Sequence, residues 1–234
     1  MKLLKNKWAV RGLVALVLAL VAVVGGPWVY INVIKEDAPD ALTLEPAELS
    51  VASETSVVAG ESGLEGDWLL GSDSVVGYRV KEILFGQSTE GVGRTSEITG
   101  SLTIEDDAVV GAEFEVAMAT LVSDSDRRDR QVNNRILETS TYPTAMFRLT
   151  SPISLTPEAL AGADFSVTAD GELTLRGVTK AVSVDLAARL VDGLIEVNGQ
   201  IEIVFTDWQI PDPSVSGISV ESSGLLEFLL RFSR

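Results

Sequence analysis

Charge is most concentrated between residues 124 and 130, where Asp124-Ser125-Asp126-Arg127-Arg128-Asp129-Arg130 places six charged side chains in seven positions. Two kinds of chemistry fit such a run. A guanidinium fork at Arg128, or at Arg130 or Arg148, matches a phosphate or similar anionic head group through paired N–H bonds. Asp126 and Asp129 stand at helical spacing and could share a face as a carboxylate pair for acid catalysis. The neighbourhood argues against both. Each acid has arginine beside it, so the residues favour a solvated face with Arg128 braced by Asp129. Arg148 follows Phe147 on an alternating segment and is expected to face solvent. Arg128 is carried forward as the head-group candidate. Histidine is absent, which removes the commonest general base and the commonest metal ligand at neutral pH. Cysteine is absent too, so neither a Ser-His-Asp nor a Cys-His arrangement can be built. No catalytic residue, metal ligand or cofactor is expected, and the chain does not read as an enzyme.

The elements that must carry these residues read as strands. Ile195, Val197, Ile201 and Ile203 alternate with Glu196, Asn198, Gln200 and Glu202. Phe114, Val116 and Met118 alternate with Glu113, Glu115 and Ala117. Val182, Val184, Leu186 and Leu190 oppose Ser183, Asp185 and Arg189, and Leu226, Phe228, Leu230 and Phe232 oppose Glu227 and Arg231. One dry and one wet face is what an antiparallel sheet needs when it curls around its own core. Turns are expected at 105–107, 170–171, 176–177 and 192–193, the last a hairpin signal. Strands are expected near 73–81, 94–104, 108–122, 144–152, 164–176, 180–191, 193–206 and 223–233. Residues 126–137 predict a short polar helix, capped by Asp124 or Ser125, and residues 156–160 a helical turn with Thr156 as cap and Pro157 first in the helix. The coarse architecture is a closed all-β domain with a helix on a long connection. Trp208, near Pro211 and Pro213, suits a plug at a barrel end.

Residues 1–12 carry Lys2, Lys5, Lys7 and Arg11 with no acid, and an apolar stretch of 22 residues follows over 13–34. About 20 such residues span a bilayer as a helix. The basic arm keeps the N-terminus cytoplasmic, and Trp28 and Tyr30 suit the outer interface. A cleaved signal peptide is the rival, but the apolar residues run on past its usual length. Residues 35–66 hold eight acids against one lysine and predict an acidic, flexible linker. Residues 67–234 then make one extracytoplasmic domain. From residue 35 onward there are 34 acids against 14 bases, a net of −20. Such a field repels phosphates, so nucleic acid is not an expected partner.

From Gly66 onward the chain resembles the YceI-like family of exported lipid-binding proteins. The resemblance is carried by Gly66-Asp67-Trp68 with Asp73-Ser74-Val75-Val76-Gly77-Tyr78, by residues 93–104, and above all by Arg128-Asp129, Leu137 and the block Tyr142-Pro143-Thr144-Ala145-Met146-Phe147. Gly171-Glu172-Leu173-Thr174-Leu175-Arg176-Gly177-Val178-Thr179-Lys180 is similar to the family's Gly-Val-Thr hairpin, and Asp207-Trp208 to its Asp-Trp turn. The resemblance implies an eight-stranded, antiparallel, lipocalin-like barrel around an apolar tunnel. It also implies non-catalytic binding of a polyisoprenoid or other long-chain amphiphile (an isoprenoid quinone, a fatty acid or its amide), with a homodimer as a further partner. Where members often carry histidine on the first strand, this chain has Glu82.

A small barrel either fills its interior or leaves room for one ligand. The inward set includes small residues (Ala112, Ala188, Gly199), but composition alone fits a filled core as well, and only the resemblance points to a tunnel. Its expected lining is Phe114, Val116, Met118, Phe147, Val184, Leu186, Val197, Ile201, Ile203, Phe228 and Leu230. The favoured expectation is a single-pass, membrane-anchored lipid holder of the cell envelope. Its alternatives are a structural or adhesive envelope module with a filled barrel, and an accessory subunit of a membrane redox system.

Overall fold

Four two-residue turns, each with both central residues at positive φ, set the register of the sheet: Phe85-Gly86, Asp106-Asp107, Arg176-Gly177 and Asp192-Gly193. Mirror-image turns of this kind match the right-handed twist of the strands they join. The computed structural model describes residues 11–16, 25–26, 29, 38–44 and 63–234. The strands are β1 (Gly66–Leu70), β2 (Val75–Leu84), β3 (Gln87–Thr95), β4 (Ile98–Glu105), β5 (Ala108–Ala117), β6 (Val122–Ser123), β7 (Thr144–Leu149), β8 (Ile153–Ser154), β9 (Phe165–Leu175), β10 (Val178–Val191), β11 (Leu194–Val204), β12 (Ile218–Val220) and β13 (Ser223–Ser233). Two short helices interrupt them, α1 (Asp126–Gln131) and α2 (Pro157–Leu160).

Every strand pair is antiparallel, and the sheet closes. β13 pairs β11 on one side and both β1 and β2 on the other. β1 continues into β2 across a break at 71–74, and the pair runs against β4 and β3, which are themselves split at Ser96-Glu97. Counted through these breaks, the described residues form an eight-stranded antiparallel barrel. Closure leaves few unpaired edges to manage.

The expected strands are present, with three corrections. Asp170-Gly171 is not a turn but the middle of β9. A Cβ at Gly171 would fall 2.3 Å from the Phe147 ring, so glycine is there to let an aromatic ring lie on the strand. Residues 85–91, which carry no apolar alternation, form a turn and the first part of β3. The inward positions of β3 are Thr89, Gly91 and Gly93, matched in register to Glu82, Val80 and Tyr78, so no period of greasy residues announces it. The expected helix over 126–137 is one α-helical turn and a half followed by a wider turn at Val132–Ile136, and Ser125 caps it without a side-chain bond. Thr156 does cap α2: its hydroxyl accepts from the Ala159 amide at 3.2 Å, with Pro157 at the first helical position.

The core falls into two clusters. One closes an end of the barrel with Met118, Leu121, Leu175, Ile203, Phe205, Trp208 and Ile210. The other surrounds Trp68, Leu102, Ile104, Leu230 and Phe232 toward the opposite end. Trp68 is anchored there by its indole N–H, which donates to the Leu64 carbonyl at 2.8 Å.

The chain divides into two units, residues 1–38 and 39–234. In the first, residues 11–16 are helical, with Leu13, Val14 and Leu16 exposed. The greater part of the expected anchor over 13–34 lies outside the described residues; among those described, no helix is long and apolar enough to cross a membrane. Residues 39–44, in the segment expected as a linker, lie on the outer wall of the barrel. The Pro39 carbonyl accepts from Arg79 at 2.6 Å, the Asp40 carbonyl from Arg94, and the Leu42 carbonyl from Asn198 at 2.7 Å. Beneath them Glu227, wholly buried on the outer face of β13, binds Arg79 at 3.1 Å and Arg94 at 2.8 Å. A carboxylate cut off from water needs such partners.

Candidate functional site

Alternation decides which side chains meet inside the barrel. Along β10, Val184, Leu186, Ala188 and Leu190 face inward; along β11, Ile195, Val197 and Ile201; along β13, Leu226, Phe228, Leu230 and Phe232. Between them lies a partly open cavity of about 180 Å³ whose wall is almost wholly hydrocarbon. Six alanines line it: Ala112, Ala145, Ala159, Ala163, Ala169 and Ala188. Short side chains at facing positions are the direct cause of the void, because their neighbours cannot collapse onto them without leaving the sheet. An apolar void of about 150 Å³ stays dry and accepts apolar guests.

Nine of the eleven residues expected to line a tunnel do line this cavity: Phe114, Val116, Phe147, Val184, Leu186, Val197, Ile201, Phe228 and Leu230. The other two do not. Met118 and Ile203 belong to the closed end, packed with Phe205 and Trp208. They face inward as the alternation predicts, but the short turns Met118–Thr120 and Phe205–Trp208 fold side chains across the barrel at their level. Gly199 does not add volume: the Phe228 ring and Leu186 already fill the space over it. Reading single strands also missed β4 (Ile98, Leu102, Ile104), β9 (Phe165, Val167, Ala169) and the 150–164 connection (Ile153, Leu155, Ala159). The signal in β9 was present, since Phe165, Val167 and Ala169 alternate with Ser166 and Thr168.

Within the wall, Phe114 stacks on Phe147 with ring centres 6.2 Å apart and tilts against Phe232 at 5.7 Å. These rings hold β5, β7 and β13 in place around the void.

Arg128 lies at the closed end and does not line the cavity. Its guanidinium binds Glu82 at 3.0 Å and also Asp124. Burial works against its charge, but Glu82 and Asp124 more than offset that, holding its pKa above the ordinary arginine value. The expected brace by Asp129 is not formed; Glu82 and Asp124 hold Arg128 instead. Asp129 is engaged elsewhere, accepting from the Ser123 hydroxyl at 2.6 Å and the Ser123 amide at 3.0 Å. Glu82 is the buried carboxylate that Arg128 pairs with. Beside it, burial raises the Tyr78 hydroxyl above the ordinary phenol pKa. Arg148 sits on the exposed wall, paired with Glu172 at 2.8 Å. Trp208 plugs the closed end, 4% exposed. Among the described residues, no group of three or more acids is placed to hold a metal ion.

On comparison with known proteins, the family profile described as a YceI-like domain matches residues 69–232. A polyisoprenoid-binding domain from Saccharophagus degradans, implicated in plant cell wall breakdown, superposes with a TM-score of 0.57 at 16% identity, covering 72% of this chain and 98% of that one. The BcnA protein of Burkholderia cenocepacia superposes with a TM-score of 0.53 at 17% identity, covering 69% and 98%. At these identities the likeness is one of fold. No curated protein matches.

Proposed function

The chain belongs to the YceI-like family, and from that premise we propose that its barrel holds the hydrocarbon tail of an isoprenoid or similar long-chain amphiphile without transforming it. The apolar, partly open cavity is the observation that carries this reading. Each methylene moved from water into such a wall gains about 0.8 kcal/mol, so a tail of a few prenyl units supplies ample affinity without any polar contact. The polyisoprenoid-binding neighbour from Saccharophagus degradans supports the choice of ligand class. A barrel serving only as a structural module has no use for six alanines around a void. In the same reading, residues 13–34 anchor the chain in the membrane with the basic arm inside and the barrel on the outer side, where a membrane lipid can reach it.

The test is chemical. Full-length protein purified from cells is extracted with organic solvent, the extract is analysed by mass spectrometry, and the stripped protein is offered geranylgeraniol. A co-purifying long-chain lipid, or uptake of the alcohol near one per chain, is expected. Absence of both refutes the proposal. For the anchor, the chain is expected to stay with membranes through an alkaline carbonate wash, and its release would refute that part alone.

A further inference from the structure

This inference rests on the lipid-holding reading and concerns the end group that the bound tail carries. The cavity runs toward the barrel end built from three connections: the β4–β5 turn, the segment 150–164, and the β10–β11 turn. They are tied together. The Leu155 amide donates to the Asp107 carbonyl at 2.9 Å, the Asp107 amide to the Glu65 carboxylate at 3.3 Å, and Gly162 lies against Leu190. Each carries exposed acid next to a residue of the cavity wall. Glu65 follows Leu64; Glu105, Asp106 and Asp107 lie between Ile104 and Val109. Glu158 precedes Ala159, Asp164 stands between Ala163 and Phe165, and Asp192 follows Leu190 by two residues.

Among the described residues the cations at this end are engaged, including Arg189, which itself borders the cavity. Arg234 lies over the Trp68 ring at 4.4 Å and donates to the Glu65 carbonyl. Arg189 binds Glu196 at 2.8 and 2.6 Å. The guanidinium of Arg128 is at the other end of the barrel, paired with Glu82 and outside the cavity lining.

We infer that the rim selects a tail whose end group is uncharged, an alcohol, quinone or amide, over one that ends in phosphate or carboxylate. An anion approaching that end would meet the field of these carboxylates, which is screened only over a Debye length, about 8 Å at physiological salt. The low-dielectric wall behind it focuses their field. Drawn inside, the anion would lose its water and meet, among the described residues, only Arg189, already paired with Glu196. An uncharged end group escapes the repulsion and loses far less hydration.

The experiment uses the full chain immobilised in phosphatidylcholine nanodiscs, with radiolabelled geranylgeraniol and geranylgeranyl diphosphate as probes of equal chain length. Binding is counted above that to empty nanodiscs. The alcohol is expected to bind at least tenfold tighter. That ratio is expected to fall at least threefold in the combined Asp106→Asn, Asp107→Asn, Asp164→Asn, Asp192→Asn variant, and to fall as salt is raised. Should that variant not fold, Glu65→Gln and Asp164→Asn taken singly are expected to lower the ratio in the same direction. Equal or tighter binding of the diphosphate overturns the inference and leaves the lipid-holding reading intact. So does a preference for the alcohol that the rim variants do not move. Binding of neither probe overturns both.

Discussion

Substituting Ala188 by leucine distinguishes a real void from a packed core by the sign of one number. Ala188 faces inward on β10, between Val197 of β11 and Phe165 of β9, and lines the cavity. Leucine adds three carbons. If they enter empty apolar space, each gains about 0.8 kcal/mol, roughly 2.4 kcal/mol together. Fixing the leucine rotamer returns about 0.5–1 kcal/mol of that. The net is a stabilisation of about 1.5 kcal/mol, which for a domain of this size raises Tm by about 3–6 °C. In a packed core the same change overpacks and costs about 1–3 kcal/mol, so Tm falls. The assay is thermal unfolding of lipid-stripped protein, followed by the near-ultraviolet signal of the buried Trp68 and Trp208. Ala187→Leu, one position along on the outward face of the same strand, controls for strand propensity. The leucine occupies space that a tail needs, so uptake of geranylgeraniol is expected to weaken at least tenfold while the protein becomes more stable. A lower Tm, or undiminished uptake, would refute the assignment of this cavity as the ligand site.

Two further outcomes follow from the charged groups. Arg128→Ala removes the guanidinium from Glu82, which is 6% exposed, and is expected to cost about 2–3 kcal/mol in urea unfolding, part of it regained in the Arg128→Ala, Glu82→Gln double variant. Lipid uptake by the folded fraction is expected to be unchanged, and its loss at unaltered stability would make Arg128 a head-group contact after all. Glu196, on the outer wall, is pushed up by burial, but hydrogen bonds from Arg231 and Arg189 outweigh this and hold its carboxyl below the ordinary glutamate value. A depressed folded-state pKa contributes stability that is present above the unfolded value and is lost as pH falls through the folded one. Urea midpoints are therefore expected to drop less steeply below about pH 4.5 in Glu196→Gln than in the parent protein, and parallel acid limbs would refute the coupling.

How much of this was legible in the chain can be followed residue by residue. β10, β11 and β13 announce themselves because a strand with one dry and one wet face must alternate, and a slip of one residue would bury Glu196, Asn198 and Gln200 in the barrel interior. Hence nine of eleven expected wall residues reach the cavity. β3 was silent because Thr89, Gly91 and Gly93 face inward under Tyr78 and the Glu82–Arg128 pair, where polar and bulky partners already fill the space. Gly171 resembled a turn for a related reason: a glycine that admits a ring from the next strand looks the same in sequence as one that bends the chain.

By itself the sequence determined the class of fold, the inward face of most strands, the absence of histidine and cysteine chemistry, and the acidity of the domain, because each is a property of short windows or of composition. Whether the inside of the barrel is solid or hollow is not local. Ala112, Ala145, Ala169 and Ala188 come from four strands and make a void only because the register sets them around one axis, while Trp208 and Phe205 close the far end from a turn beyond the last alternating residue. The partner of Arg128 is likewise a matter of tertiary structure. Asp129 is its neighbour in the chain, yet the acids it meets are Asp124, one helical turn back, and Glu82, 46 residues away, a buried carboxylate that would be costly to leave unpaired.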